Sequence, residues 1–226
     1  NGGTQSITGV GFQPDMTWLK KRNGTANHHL VDAVRGVGYY IYPNLSNTQG
    51  GNGATLLLSF NSDGFTLDSG ADSNASGATG VGWSWKAGNL SNGTGVSNTD
   101  GSINSTVSAN TTSGFSISKY TGTGSAGATV GHGLGVAPKM IIAKGLTYAD
   151  VWIVGGDNLG GWNKEMYLNT TNAVATNNNA FNGVAPTSSV FTLGSGNGTN
   201  KSGDTYIAYC FAEKQGYSKF GSYTGN

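Results

Sequence analysis

Large apolar side chains recur at a spacing of two in short runs, and each run is closed by Gly, Asn, Asp, Ser or Pro. In "GVGWSWKAG" the series is Val81, Trp83 and Trp85; in "YIAYCFAEK" it is Ile207, Tyr209 and Phe211. Side chains two residues apart share one face of a strand, so each run predicts an aromatic strand with that face in a core. Cys210 and Ser84 fall on the opposite face of the same strands. Further strands are predicted in "DMTWLKK", "ATLLLSF", "FSISKY", "KMIIAK", "VWIVG" and "EMYLN", each bounded by residues that end strand pairing. No segment keeps a helical period. The pattern predicts an all-β protein of two tandem β-sandwich domains, jelly-roll or concanavalin-like, with inner sheet faces supplying the core.

The number of domains comes from a repeat. "TGVGFQPDMTWLKK" and "GHGLGVAPKMIIAK" keep Gly9 with Gly133, Gly11 with Gly135, Pro14 with Pro138, Met16 with Met140 and Lys20 with Lys144, all 124 positions apart. "GFTLDSG" then answers "VFTLGSG" at 126 positions, Phe65 with Phe191 and Leu67 with Leu193. The expected organisation is a first sandwich at residues 1–88, a Gly/Ser/Asn/Thr-rich linker at 89–114 and a second sandwich at 115–226. The linker lacks proline, so it is expected to be flexible, with one short strand around Ile103. Residues 217–226 resemble the start of a further unit, because Tyr223-Thr224-Gly225 repeats Tyr120-Thr121-Gly122. That split repeat is expected to be resolved either by continuation in a longer parent chain or by strand addition, with residues 217–226 of one copy against residues 1–20 of another.

Composition narrows the function classes. Charged residues are 10% of the 226 and aromatics 10%, with 39 glycines, which suits packed cores under a surface of Asn, Ser, Thr and Gly. A net charge of +1 gives no field for nucleic acid, and no apolar run predicts membrane insertion. Lys20-Lys21-Arg22 reads as a solvated strand end. The lone cysteine excludes an intrachain disulfide. Asn-X-Ser/Thr triplets at Asn23, Asn74, Asn104 and Asn169 follow from composition.

Candidate chemistry is sparse. Histidine occurs only at His28, His29 and His132, and glutamate only at Glu165 and Glu213, so no acid, base and nucleophile set emerges; the chain reads as non-enzymatic, with no catalytic residue, metal or cofactor assigned. His28 and His29 are adjacent and would point to opposite faces of a strand. Asp32 and Arg35 read as a local ion pair, His132 as a loop residue, and Asp150 with Asp157 as too few carboxylates for calcium. Sugar binding is the more serious candidate, since an aromatic platform flanked by Asn or Asp recognises glycans. "YADVWIVGGDNLGGWNKE" offers Tyr148, Trp152, Asp157, Asn158 and Trp162 for it.

The motifs "GFQPDMTWLKKR", "DAVRG", "SFNSDGFTL", "WSWKAG", "HGLGVAPKMIIAK" and "YIAYCFAEKQGYSKFGSYTGN" together resemble the tandem Gly/Asn-rich β repeat domains of virion structural, tail-fibre-like proteins of marine tailed bacteriophages. The resemblance covers nearly the whole chain. "VGWSWKAG" departs from it by lacking the cysteine of "YIAYCFAE". The resemblance implies a structural protein of the virion, a tail fibre or other appendage, with contact to the host surface as a further expectation. Its expected partners are copies of itself, other virion proteins and a host-surface glycan. The alternatives are a lectin-like carbohydrate-binding module and a capsid decoration or filament-forming protein.

Overall fold

A computed structural model of the protein describes residues 2–51, 56–69, 72–88 and 95–226. Among these the fold is nearly all β. Helical turns occur at Asp72–Asn74, Asp157–Leu159 and Asn197–Asn200. The first half contributes β1 (Gln5–Ile7), β2 (Met16–Lys21), β3 (His29–Asp32), β4 (Tyr39–Tyr40), β5 (Gly50–Gly51), β6 (Leu57–Asn61), β7 (Gly64–Leu67) and β8 (Gly80–Trp85). The second contributes β9 (Val96–Asn98), β10 (Ser105–Asn110), β11 (Phe115–Thr121), β12 (Thr129–Gly131), β13 (Met140–Gly145), β14 (Ile153–Gly156), β15 (Lys164–Tyr167), β16 (Ala175–Thr176), β17 (Val190–Thr192) and β18 (Thr205–Phe211).

Among the described residues, four of the five sheets form layers around three cores, the fifth being the short pair β4-β5. In the first half the sheet β3-β2-β8 faces the sheet β1-β7-β6 across Leu19, Val31, Leu57, Phe65 and Leu67. In the second, the eight-stranded sheet β16-β15-β14-β13-β18-β11-β10-β9 faces the pair β12-β17 across Tyr120, Ala143, Phe191, Tyr206 and Cys210. Period-two alternation sends the remaining side chains of both large sheets the other way, and there they meet each other. Met16, Leu30 and Ile41 of the first half pack with Ile117, Trp152, Ile207 and Tyr209 of the second in a single cluster. The halves are therefore back to back on a shared apolar layer.

The two halves pair their strands alike. β2 lies between β3 and β8 with Met16 opposite Trp85 and Lys20 opposite Val81. β13 lies between β14 and β18 with Met140 opposite Phe211 and Lys144 opposite Ile207. The loop before each of these strands needs a left-handed backbone twice, at Gly9 and Gly11 (φ 85° and 82°) and at Gly133 and Gly135 (φ 68° and 70°), where a Cβ would be strained. Asp63 holds the first of these loops, its carboxylate accepting the N–H groups of Gly9 (2.9 Å) and Gly11 (2.6 Å). A buried asparagine latches each half. Asn74 Nδ2 donates to the carbonyls of Gly3 and Asp68, and Asn200 Nδ2 to those of Ser125 and Gly194.

Two expectations change. Residues 89–94 lie outside the described residues, but the remainder of the expected linker is paired structure: β10 joins β11 and β9 at one side of the large sheet. Its buried positions are Ser105, Val107 and Ser108, small or polar side chains that give no apolar alternation to read. The aromatic strands also differ. Ile207 and Tyr209 are fully inside, whereas Trp83 is 46% exposed, because β18 is sandwiched between β13 and β11 while β8 pairs, among the described residues, with β2 alone. Cys210 sits in the core opposite Ser116, where burial pushes its thiol up to about 12 and leaves it a packing group.

The shared layer contains a charge pair. Arg35 Nε meets Asp32 Oδ2 at 2.5 Å with both side chains buried. The carboxylate also accepts the Arg35 N–H at 2.9 Å and, from the other half, the Tyr209 hydroxyl at 2.7 Å. Arg35 Nη2 donates to Leu30 O at 3.0 Å. Burial, then the Asp32 charge, hold the Tyr209 phenol well above its usual range, so it stays a donor. A hydrogen bond to a buried charge contributes about 1.5–3 kcal/mol. Tyr209→Phe is accordingly expected to lower the unfolding free energy in urea by about that amount; a variant as stable as the parent would show that the bond contributes nothing.

Candidate functional site

The structure does not assemble the five residues read as a glycan site. Trp152 is fully buried in the layer between the halves, its Nε1 donating to the Tyr42 and Leu45 carbonyls at 2.9 and 3.1 Å. It offers no ring face to a sugar. Trp162 is also buried, edge-on to Phe181, and its Nε1 donates to Asp157 Oδ1 at 2.5 Å. Asp157 bonds Lys139 at 2.7 Å; burial alone would raise its carboxyl, but the hydrogen bonds from Lys139 and Trp162 and the Lys139 charge hold it below the usual range. Asn158 adjoins this group, with its Oδ1 buried and unbonded among the described residues. Tyr148 belongs elsewhere. It carries Lys201 Nζ over its ring at 3.8 Å, beyond the far end of β13, a strand of six residues that spans roughly 16 Å.

His28 and His29 also separate. His28 Nδ1 accepts the Trp18 indole N–H at 2.9 Å, and His29 packs edge-on to Tyr40.

A different set of groups converges around Glu165. A cleft of about 170 Å³ opens between β14, β15 and the turn Asn197–Asn200, lined by Asp150, Glu165, Tyr167, Asn177 and Asn197. Glu165 is 3% exposed, and its Oε1 accepts the Tyr167 hydroxyl and the Asn177 Nδ2 amide, each at 2.8 Å. Asp150 Oδ1 accepts the Val151 N–H at 2.8 Å. The hydrogen bond to Glu165, then burial, raise the Tyr167 phenol. Carboxylates, amides and a phenol around a space of this size match the hydroxyls of a small polar ligand. Glu165 and Tyr167 stand two apart in a predicted strand, which was the available signal for a shared face; Asn177 comes from a separate segment and has no such signal.

A second opening is apolar. A groove of about 400 Å³ lies at the rim of the shared layer, bordered by Trp18, Trp85, Met140, Ile142, Phe211 and Phe220. It arises from the apposition of the halves, which no local pattern announces.

These features define an all-β protein of stacked sheets with a polar cleft, and among the described residues no helix is long and apolar enough to cross a membrane. The chain belongs to the family described as a domain of unknown function, DUF7483, whose model matches residues 1–226. No curated protein and no solved structure matches the chain.

Lys144, on β13 near Asp150, is fully buried with Nζ donating to Gly145 O at 2.8 Å. Lys20 likewise donates to Lys21 O, at 2.9 Å. Burial, opposed in part by the Asp150 charge, lowers the Lys144 ammonium to about 8, whereas the unfolded chain keeps it near the ordinary value of about 10.4. Between these values the unfolded chain binds the extra proton, so this group makes stability rise with pH across that window. The native stability of the parent chain relative to Lys144→Met is expected to increase from pH 7 to 10, by on the order of 3 kcal/mol. A difference that stays flat would place the ammonium in water.

Proposed function

We propose that this protein is a non-enzymatic structural component of a phage particle, a tail fibre or other appendage, built from two copies of one sandwich-like unit. The repeat reading is supported by the matched strand order, the matched registers of β2 with β8 and of β13 with β18, and the paired asparagine latches. The particle role is supported by the resemblance carried by the long repeat motifs. The observation that carries it furthest is the edge of β8, which has no strand partner among the described residues, the feature of a unit that continues into a neighbour. Most of the polar groups described above serve the fold: Asp32, Asp63, Asn74 and Asn200 all bond internally. Antibodies against this chain are expected to label one appendage of purified particles of a phage that encodes it. Label that stays in the lysate and never on particles would refute the role.

A second reading, recognition of a host-surface glycan, is favoured by the cleft at Glu165, Tyr167 and Asn177 rather than by the tryptophans. On a glycan array the chain is expected to retain a ligand that Glu165→Gln or Asn177→Ala weakens by about tenfold, the loss of roughly one good hydrogen bond. Binding that survives both substitutions would move any glycan away from the cleft.

A further inference from the structure

In the second half, β11 covers one edge of β18, with Ile117 opposite Tyr209, Ser118 opposite Ala208 and Tyr120 opposite Tyr206. Tyr120 closes that sandwich. Its ring stacks on Tyr206 at 5.4 Å and meets Phe191 edge-on at 6.0 Å, and its hydroxyl donates to Thr199 O at 2.8 Å.

The first half has the seat without the occupant. β8 stands where β18 does, and its other edge has no strand partner among the described residues. Beside it lies a groove of about 190 Å³ lined in part by Phe65, Leu67, Ser73 and Gly80. By the 126-residue correspondence, Phe65 answers Phe191, Leu67 answers Leu193, Ser73 answers Thr199 and Gly80 answers Tyr206. The groove is thus the counterpart of the space that Tyr120 and Tyr206 fill. Ser73 Oγ is buried there without a hydrogen-bond partner among the described residues. On the other face of the same edge, Trp83 is 46% exposed.

The chain carries a strand that fits. Phe220-Gly221-Ser222-Tyr223-Thr224-Gly225 repeats the Tyr-Thr-Gly of β11. It belongs to no strand, and Tyr223 is 95% exposed. The geometry points to residues 220–225 of a second copy as the occupant of the β8 edge. In the register of β11, Tyr223 stands opposite Gly80 with its ring in the groove and its hydroxyl toward the Ser73 carbonyl. Gly221 then faces Gly82, and Phe220 covers Trp83 after leaving its edge-on contact with Phe211. Added strands gain backbone hydrogen bonds along the edge, and an aromatic in a pocket sets the register. The acceptor is β8 and the Ser73 turn, rather than the residues 1–20 expected from the sequence. This inference rests on reading the halves as copies of one unit.

The test uses the full chain and two variants. Gly80→Lys places a charged side chain in the groove; a Cβ there meets nothing closer than 3.4 Å, so the strand accommodates it. Tyr223→Ala removes the donor ring from an exposed position. By light scattering, the parent is expected to grow in mass with concentration, because a head-to-tail contact leaves a free tail and a free edge at each addition until a ring closes. Each variant alone is expected to stay monomeric, and the two mixed to form a dimer and stop, one supplying the tail and the other the edge. A free peptide of residues 217–226 should also shift the tryptophan fluorescence of Tyr223→Ala protein, and its own Tyr223→Ala form should bind at least about tenfold more weakly. The peptide arm holds even where Gly80→Lys fails to fold. A parent that stays monomeric at all concentrations, variants that do not complement, or a peptide insensitive to Tyr223 would each overturn the proposal. None of these outcomes touches the repeat reading, which fails instead on an experimental structure whose halves do not superpose.

Discussion

The structure depends on the apolar layer between its halves. The sheet β3-β2-β8 and the eight-stranded sheet each have two faces, and the sheet packed against each covers one. The other presents Met16, Leu30 and Ile41 on the first half and Ile117, Ile207 and Tyr209 on the second, and each set can leave water only against the other. Truncating one large buried side chain costs about 3–5 kcal/mol, against a total stability of about 5–15 kcal/mol for a whole domain. Losing the layer would exceed that margin. Trp152 deepens the dependence, since it belongs to the second half but finds its indole acceptors at Tyr42 and Leu45 of the first. Asp32 does so from the other side: removing one partner from a buried ion pair costs about 3–5 kcal/mol, and its phenol donor comes from the second half.

Much of the fold was legible because strand alternation and turn residues are local. The aromatic run around Tyr209, the strands around Met16 and Met140 and the two Gly-x-Gly-x-x-Pro loops all lie where their residues indicated. What escaped was decided by apposition. The same spacing of two that buries Tyr209 leaves Trp83 at an edge, because exposure depends on which strand lies alongside. β10 escaped because two of its three buried residues are serines. Trp152 and Trp162 share one loop-rich stretch with Asp157 and Asn158, which suggests a sugar platform, but their indole N–H groups are taken by backbone and carboxylate acceptors. The cleft at Glu165 needed Asn177, separated in sequence and silent in periodicity.

The low charge of the chain has a structural consequence. With few ion pairs available, loops are fixed by short side chains bonded to backbone: Asp63 on the loop of Gly9 and Gly11, Asn74 and Asn200 each within its own half, Asn169 on the Trp152 N–H at 2.9 Å. These bonds are directional, and those of Asn74 and Asn200 are made by buried side chains, so they specify one arrangement, and leaving a buried one unmade is costly. The cleft and the β8 edge differ from them in facing outward with unfilled volume, which is why the functional readings concentrate there.

The central claim is that the two halves form one cooperative unit through their shared layer. Scanning calorimetry of the full chain measures this most directly. A single transition is expected, with calorimetric and van't Hoff enthalpies that agree. Two resolved transitions, each with the enthalpy expected of about half the chain, would contradict it and show two domains that merely touch.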